Sequence, residues 1–278
     1  MNKVETKQAV IYYVEDTPPD KIAKKIVEED QIGALDWGDP AHMIYVLVGK
    51  ADNANPDITR RMNLIKGRPE SQVLAVSGIA ELTQVVGRPE SSQVLRRISE
   101  QRGVDQYQII DELFQYPVGV ILEANDKAPS SVVSTKQDKR TVMVAGQSYN
   151  FSSEPYHDFY NQLVWEVVSK YGYVLAGSSL NLHGDRPFTV YEQEQLFNSM
   201  NDKLDFVLAR RKIPNTTHHT KDSATVWDLT GEIPILYRSG SIAPDIFKPL
   251  LGEFISACPT PKVPTLRDRI GSFLRFLS

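Results

Sequence analysis

A single cysteine, Cys258, is present in the 278 residues, so no intramolecular disulfide can form and a reducing compartment is the natural setting. That cysteine stands at the end of an apolar segment with Pro259 after it, a poor environment for a nucleophilic thiolate. Histidine is scarce as well. His42, His157, His183, His218 and His219 form no His-x-x-x-His pair, and without a Cys-x-x-Cys either, no metal site is expected. The Gly-x-Ser-x-Gly elbow, the Walker phosphate loop and Gly-x-Gly-x-x-Gly are all missing, which argues against a serine hydrolase, a phosphate-loop NTPase and a dinucleotide-binding crossover. No run approaches the roughly 18 apolar residues of a membrane span, and no apolar signal core follows Met1. A cytoplasmic location without a membrane partner is therefore expected. A net charge of -4 disfavours nucleic acid as a bulk partner, while a local basic patch for RNA stays open.

What the chain does contain is an alternation of short apolar runs and amphipathic stretches. Strands are expected at Ala9 to Tyr13, Ile32 to Leu35, Met43 to Val48, Val73 to Val76, Val118 to Leu122, Thr141 to Val144, Tyr173 to Leu175, Phe206 to Leu208, Thr225 to Trp227 and Ile233 to Tyr237. Helices are expected at Pro19 to Glu29, Pro56 to Ile65, Gly78 to Val85, Ser92 to Arg102, Asp105 to Phe114, His157 to Lys170 and Tyr191 to Asn201. This is an α/β pattern, a large twisted sheet with flanking helices. The polar segments Asn125 to Lys139 and Ile213 to Asp222 show no period and read as loops. The block Gly67 to Leu74 is echoed by Gly87 to Leu95 without any longer repeat, and Ser91 or Ser92 is a suitable helix N-cap in the second copy. Beyond Pro244 come an apolar helix, Ile246 to Ala257, a proline-punctuated linker and a last amphipathic helix with Leu266, Ile270, Phe273, Leu274 and Leu277 on one face. The chain thus divides into an α/β domain over 1–243 and a C-terminal helical extension over 244–278, the extension packing on the domain or joining a partner or second subunit.

Lys66-Gly67-Arg68-Pro69 sets two cations one residue apart on a Gly-Pro turn between helix and strand, an arrangement suited to an anion such as a triphosphate. Three further segments follow in order: Gly177-Ser178-Ser179-Leu180-Asn181, Ala224-Thr225-Val226-Trp227-Asp228 and Leu236-Tyr237-Arg238-Ser239-Gly240-Ser241-Ile242. Together they resemble the YrdC-like family, the threonylcarbamoyl-adenylate synthases, whose pattern runs Lys-x-Arg-Pro, Thr-Ser-Ala-Asn, Ser-Thr-Val-x-Asp and Leu-Arg-x-Gly-x-Ile. The family's first motif, Pro-Thr-Glu-Thr-x-Tyr-Gly-Leu-Gly, falls on Pro40 to Val48. There Ala41 and Met43 replace both threonines, and Val46 and Val48 replace both glycines. Ala209-Arg210-Arg211 stands for the usual Asp-Gly-Gly, Ala224 for a serine, and the family's arginine in the strand before the long helix has no counterpart in Thr141 to Gly146.

The resemblance implies a YrdC-like fold with a single mixed sheet, and an enzyme that takes ATP, bicarbonate and L-threonine to threonylcarbamoyl-AMP for tRNA modification. Lys66 and Arg68 would clamp the phosphates, Ser179 and Asn181 would bind carbamate or phosphate oxygens, and Thr225 and Arg238 would hold the nucleotide. Magnesium would arrive with the nucleotide. Ala41, Met43 and Tyr45 would face the amine substrate, whose identity the altered first motif leaves open. The same substitutions support a second reading, a non-catalytic descendant that keeps nucleotide or RNA binding in a regulatory or scaffolding role.

Overall fold

The computed structural model describes residues 8–37, 43–70, 74–77, 87–146, 155–181, 186–213 and 223–257. Among the described residues twelve strands form one sheet: β1 (Val10–Tyr13), β2 (Gly33–Trp37), β3 (Ile44–Ala51), β4 (Ala75–Ser77), β5 (Val118–Glu123), β6 (Val133–Lys136), β7 (Lys139–Ala145), β8 (Val174–Ser179), β9 (Phe206–Ala209), β10 (Thr225–Asp228), β11 (Ile235–Arg238) and β12 (Ile255–Ser256). Their order is β1-β9-β2-β3-β8-β4-β7-β5-β10-β11-β12, with β6 paired to β7 beside the main path. Parallel and antiparallel neighbours alternate irregularly across it, so the sheet is mixed, as expected.

The helices are α1 (Pro19–Glu28), α2 (Asp57–Ile65), α3 (Gln93–Arg102), α4 (Gln106–Leu113), α5 (Pro155–Trp165), α6 (Gln193–Met200) and α7 (Lys248–Leu251). Local chemistry sets several of their ends. Pro19 opens α1, where a missing N–H costs nothing. Ser92 caps α3 by accepting from Leu95 N at 3.1 Å, and Gly103 ends it at φ 66°. Asp105 caps α4 through Gln108 N at 2.8 Å. The helix α5 continues into a π-helical turn, Glu166–Lys170.

Period-two alternation along the strands divides the apolar residues between the two faces of the sheet. One face carries Tyr45, Leu47, Val120 and Val142 and is covered by α2, α3, α4, α6 and α7, through residues such as Met62, Leu95, Leu113, Met200 and Leu251. On the other face Leu35, Trp37, Ile44, Val46 and Val48 pack against α1 and α5 through Ile22, Ile26, Tyr160 and Leu163. These two helices serve the β2–β3–β8 side. The same face of β7, β5 and β10 carries Met143, Gly119, Ile121 and Val226, which line an open cavity.

Several expectations change. The segment Asn125 to Lys139 is not a loop throughout: it contains β6 and the turn to β7, in which Gln137 and Asp138 take positive φ of 49° and 62°. Polar side chains on a half-exposed hairpin give no apolar period from which to read a strand. The expected helix Ile246 to Ala257 is a 3-10 turn at Pro244–Phe247 followed by the single helical turn α7. Gly252 at φ 74° then turns the chain, and β12 joins β11 in parallel. The expected helix Gly78 to Val85 and the last amphipathic helix lie outside the described residues. Among the described residues no helix is long and apolar enough to cross a membrane.

Candidate functional site

The cavity encloses about 410 Å³ on the sheet face that α1 and α5 leave bare. Small side chains make its floor: Ala75, Gly119, Ala145, Gly177 and Ala224. At Gly119 a Cβ would come within 3.1 Å of Val226, so a larger residue there would crowd the floor. Arg68, Lys136 and Arg238 supply the cationic part of the wall.

The turn after α2 builds one side. Gly67 takes φ 64°, a left-handed conformation that reverses the chain, and Arg68 N donates to Asn63 O at 2.9 Å. Arg68 then reaches into the cavity, its Nη1 donating to Ser178 Oγ at 3.1 Å. Its Nε is buried without a hydrogen-bond partner among the described residues. Burial lowers its pKa from the ordinary arginine value. Lys66 points behind the wall. It is fully buried at 0% exposure, donating to the Ser179 carbonyl and to Asn181 Oδ1, the latter at 2.8 Å. Ser179 Oγ donates to the same Asn181 oxygen at 2.9 Å. Burial first, then the charges of Arg68 and Arg238, bring the Lys66 amine down to about 7. Lys66, Arg68, Ser179 and Asn181 are thus brought together, with Arg68 and Ser179 on the cavity and Lys66 behind them.

Arg238 also lines the cavity, its Nε donating to Ala224 O at 3.0 Å. Thr225 does not reach the cavity. Its hydroxyl, on a fully buried residue, donates to Ile242 O at 2.6 Å and accepts from Gly240 N at 3.1 Å. It therefore ties the 240–242 turn to β10, a role it fills by position rather than by touching a ligand. The close approach needs Gly240, where a Cβ would lie 2.1 Å from Ser223 O.

The expected amine-binding residues are placed differently. Tyr45 faces the other side of the sheet, where its hydroxyl donates to Gln193 Oε1 at 2.9 Å; burial, then the nearby Asp36 charge, holds its pKa well above the usual tyrosine value. Met43 is buried and does not line the cavity, and Ala41 lies outside the described residues. Alternation along β3 gives the cavity Ile44 and Val46 instead, and puts Val48 in the α1–α5 core. Arg210, one of the departures from the family pattern, is buried in an ion pair with Asp36. Arg211 stays at the surface, paired with Asp16 and lying 4.0 Å from the Tyr13 ring centre.

Trp37, Tyr160 and Lys136 line the cavity without being singled out by the sequence, and Asp228 joins the site through Lys136. Lys136 bonds the buried Asp228 carboxylate, which also accepts from Thr230 N and Oγ1 at 3.0 and 2.6 Å. Burial raises the Asp228 pKa, but the hydrogen bonds from Lys136 and Thr230 outweigh it and the net shift is downward. Asp228 ends the Thr-Val-x-Asp segment and is legible as a motif residue; its lysine partner sits on a hairpin whose sequence reads as a loop. Among the described residues no group of three or more His, Cys, Asp or Glu is placed to hold a metal ion.

No protein-family model matches the chain. No curated protein matches it either. Solved structures do: P. abyssi Sua5 complexed with L-threonine superposes with a TM-score of 0.62 at 17% identity over 90% of this chain, and E. coli YciO with 0.55 at 15% over 87%. The chain matches 99% of YciO but spans only 62% of the Sua5 chain. The mixed sheet with its flanking helices is therefore the fold of these proteins.

Proposed function

We propose that this chain, which has the fold of Sua5 and YciO, is a nucleotide-dependent enzyme that forms a carbamoyl-type adenylate from ATP, bicarbonate and an amine. One observation carries the reading. Lys66 and Asn181, 115 residues apart, are joined by a hydrogen bond at the edge of a cavity into which Arg68 and Arg238 also point. Two separate motifs of the resemblance converge on one place, and Arg68, which reaches into the cavity, fits a polyanion that would accept from its guanidinium.

In this reading Arg68 and Arg238 face the phosphates and offset charge that develops as the α-phosphate is attacked, releasing pyrophosphate. Lys66 holds Ser179 and Asn181 from behind, through the Ser179 carbonyl and Asn181 Oδ1, and so fixes the edge of the cavity beside Arg68. Magnesium accompanies the nucleotide. Positioning within the cavity supplies most of the acceleration, since among the described residues no carboxylate lines its wall. An amino acid is the amine class that the threonine complex of Sua5 supports, and tRNA modification is the pathway that the resemblance supports. The non-catalytic alternative draws on Val46, whose branched side chain stands on the cavity wall where the family has glycine.

The test is exchange of labelled pyrophosphate into ATP with magnesium, bicarbonate and a panel of amino acids, alongside calorimetry of ATP binding. Exchange in the wild type, with ATP affinity at least about tenfold lower in Arg68→Ala, is the expected result. Binding without exchange for any amine supports the non-catalytic reading, and ATP affinity unchanged by Arg68→Ala rejects the site.

A further inference from the structure

The strand β11 leaves its regular pairing where it borders the cavity. Val226 of β10 pairs with Arg238, but the next residue, Trp227, pairs with Leu236, so Tyr237 is the extra residue of a β-bulge. In an unbroken strand Tyr237 and Arg238 would emerge on opposite faces of the sheet. Here both line the cavity, while Leu236 and Trp227 stay in the core of the other face. Bulges beside functional sites re-aim side chains in this way. The side chain re-aimed is aromatic and packs little: with Lys136 Nζ 6.0 Å from its ring centre, Tyr237 is still 55% exposed. The strands next to it present apolar residues to the cavity, Val226 from β10, Gly119 and Ile121 from β5 and Met143 from β7. Gly119 pairs with Val226 and keeps the floor between them low.

Resting on the adenylate-forming reading, we infer that Tyr237 is the stacking surface for the base of the bound nucleotide. A nucleotide carries a flat ring and a chain of anionic groups on one frame. Successive residues of the bulged strand offer it the two matching partners, an aromatic ring from Tyr237 and a guanidinium from Arg238. A base laid on the Tyr237 ring covers apolar surface that otherwise faces water. Its rim then meets Val226 and the low floor at Gly119 rather than a bulky side chain. Stacking of this kind needs only the π-face that every base has, so Tyr237 gives the site affinity for a nucleotide over a bare polyphosphate.

The experiment is calorimetry on the full chain with magnesium, using ATP and tripolyphosphate as probes, since tripolyphosphate keeps the anionic chain and lacks the base. ATP should bind the wild type at least about fivefold tighter than tripolyphosphate. Tyr237→Ala should weaken ATP by at least about fivefold and leave tripolyphosphate as it was. Tyr237→Phe keeps the ring and should bind ATP as the wild type does. ATP affinity unchanged in Tyr237→Ala overturns the inference. An equal loss for tripolyphosphate does so too, because the ring would then serve the phosphate site, as does a Tyr237→Phe variant as weak as Tyr237→Ala. Should Tyr237→Ala fail to fold, Tyr237→Leu, apolar and without a ring, is read in the same way. Pyrophosphate exchange separates this inference from the reading on which it rests. ATP binding that depends on Tyr237, in a chain that exchanges no pyrophosphate with any amine, upholds the base subsite and rejects adenylate formation. Exchange together with ATP binding indifferent to Tyr237 does the reverse, and a wild type that binds neither probe rejects both.

Discussion

Replacing Lys66 by Met tests the most unusual electrostatic feature of the chain, a fully buried amine whose described partners are a carbonyl and an amide oxygen. An unfolded lysine titrates at the ordinary value of 10.5, whereas in the folded protein burial, Arg68 and Arg238 bring Lys66 to about 7. Between those two pH values the unfolded chain binds the extra proton, so stability rises with pH across the window and the burden of burying the charge is felt in full below it. Within that window each step of one pH is worth up to about 1.4 kcal/mol, and moving from pH 7 to pH 9 should therefore stabilise the folded chain by about 2 kcal/mol through this residue alone. Methionine keeps the length and apolar character of the stem and removes the titration. Urea denaturation of both proteins at several pH values isolates the effect, because every other group cancels in the difference. The stability of the wild type relative to Lys66→Met should climb by about 2 kcal/mol between pH 7 and pH 9. Parallel curves would refute the reasoning, and would mean that Lys66 stays protonated in the folded state through contacts with charge that this geometry does not contain.

Further outcomes follow from the packing. Arg210→Met leaves the buried Asp36 carboxylate without its ion-pair partner, and denaturation should register a loss of about 3–5 kcal/mol, larger than that of the double variant Asp36→Leu with Arg210→Met. Gly240→Ala drives a Cβ to 2.1 Å from the Ser223 carbonyl, so thermal unfolding should show a loss of more than about 2 kcal/mol, with β10 displaced beside the cavity.

The resemblance motifs pick out residues that the fold gathers in one place. Lys66, Arg68, Ser179 and Asn181 do come together, and Arg238 lines the same cavity as Arg68. Other assignments turn on side-chain direction. Tyr45 and Val46 are adjacent in one strand, and a motif match cannot tell which of them meets the ligand. The resemblance makes Thr225 a nucleotide contact, while its hydroxyl closes a turn to Ile242.

By itself the sequence determined the local grammar. Apolar periodicity, proline and serine at helix starts, and glycine at helix ends placed most elements to within a few residues, because those signals act between neighbours along the chain. Only the tertiary structure decided which half of one sheet face α1 and α5 would leave uncovered. Every strand alternates, and nothing in a strand's own sequence states whether a helix will cover its second face. That choice followed from where α1 and α5 settle across β2, β3 and β8. It made Ile44, Val46 and Trp37 cavity walls, sent Tyr45 to the opposite core, and hid the Lys66 amine behind Ser179, since the side on which each side chain emerges is fixed by the pleat and by which face finds a packing partner.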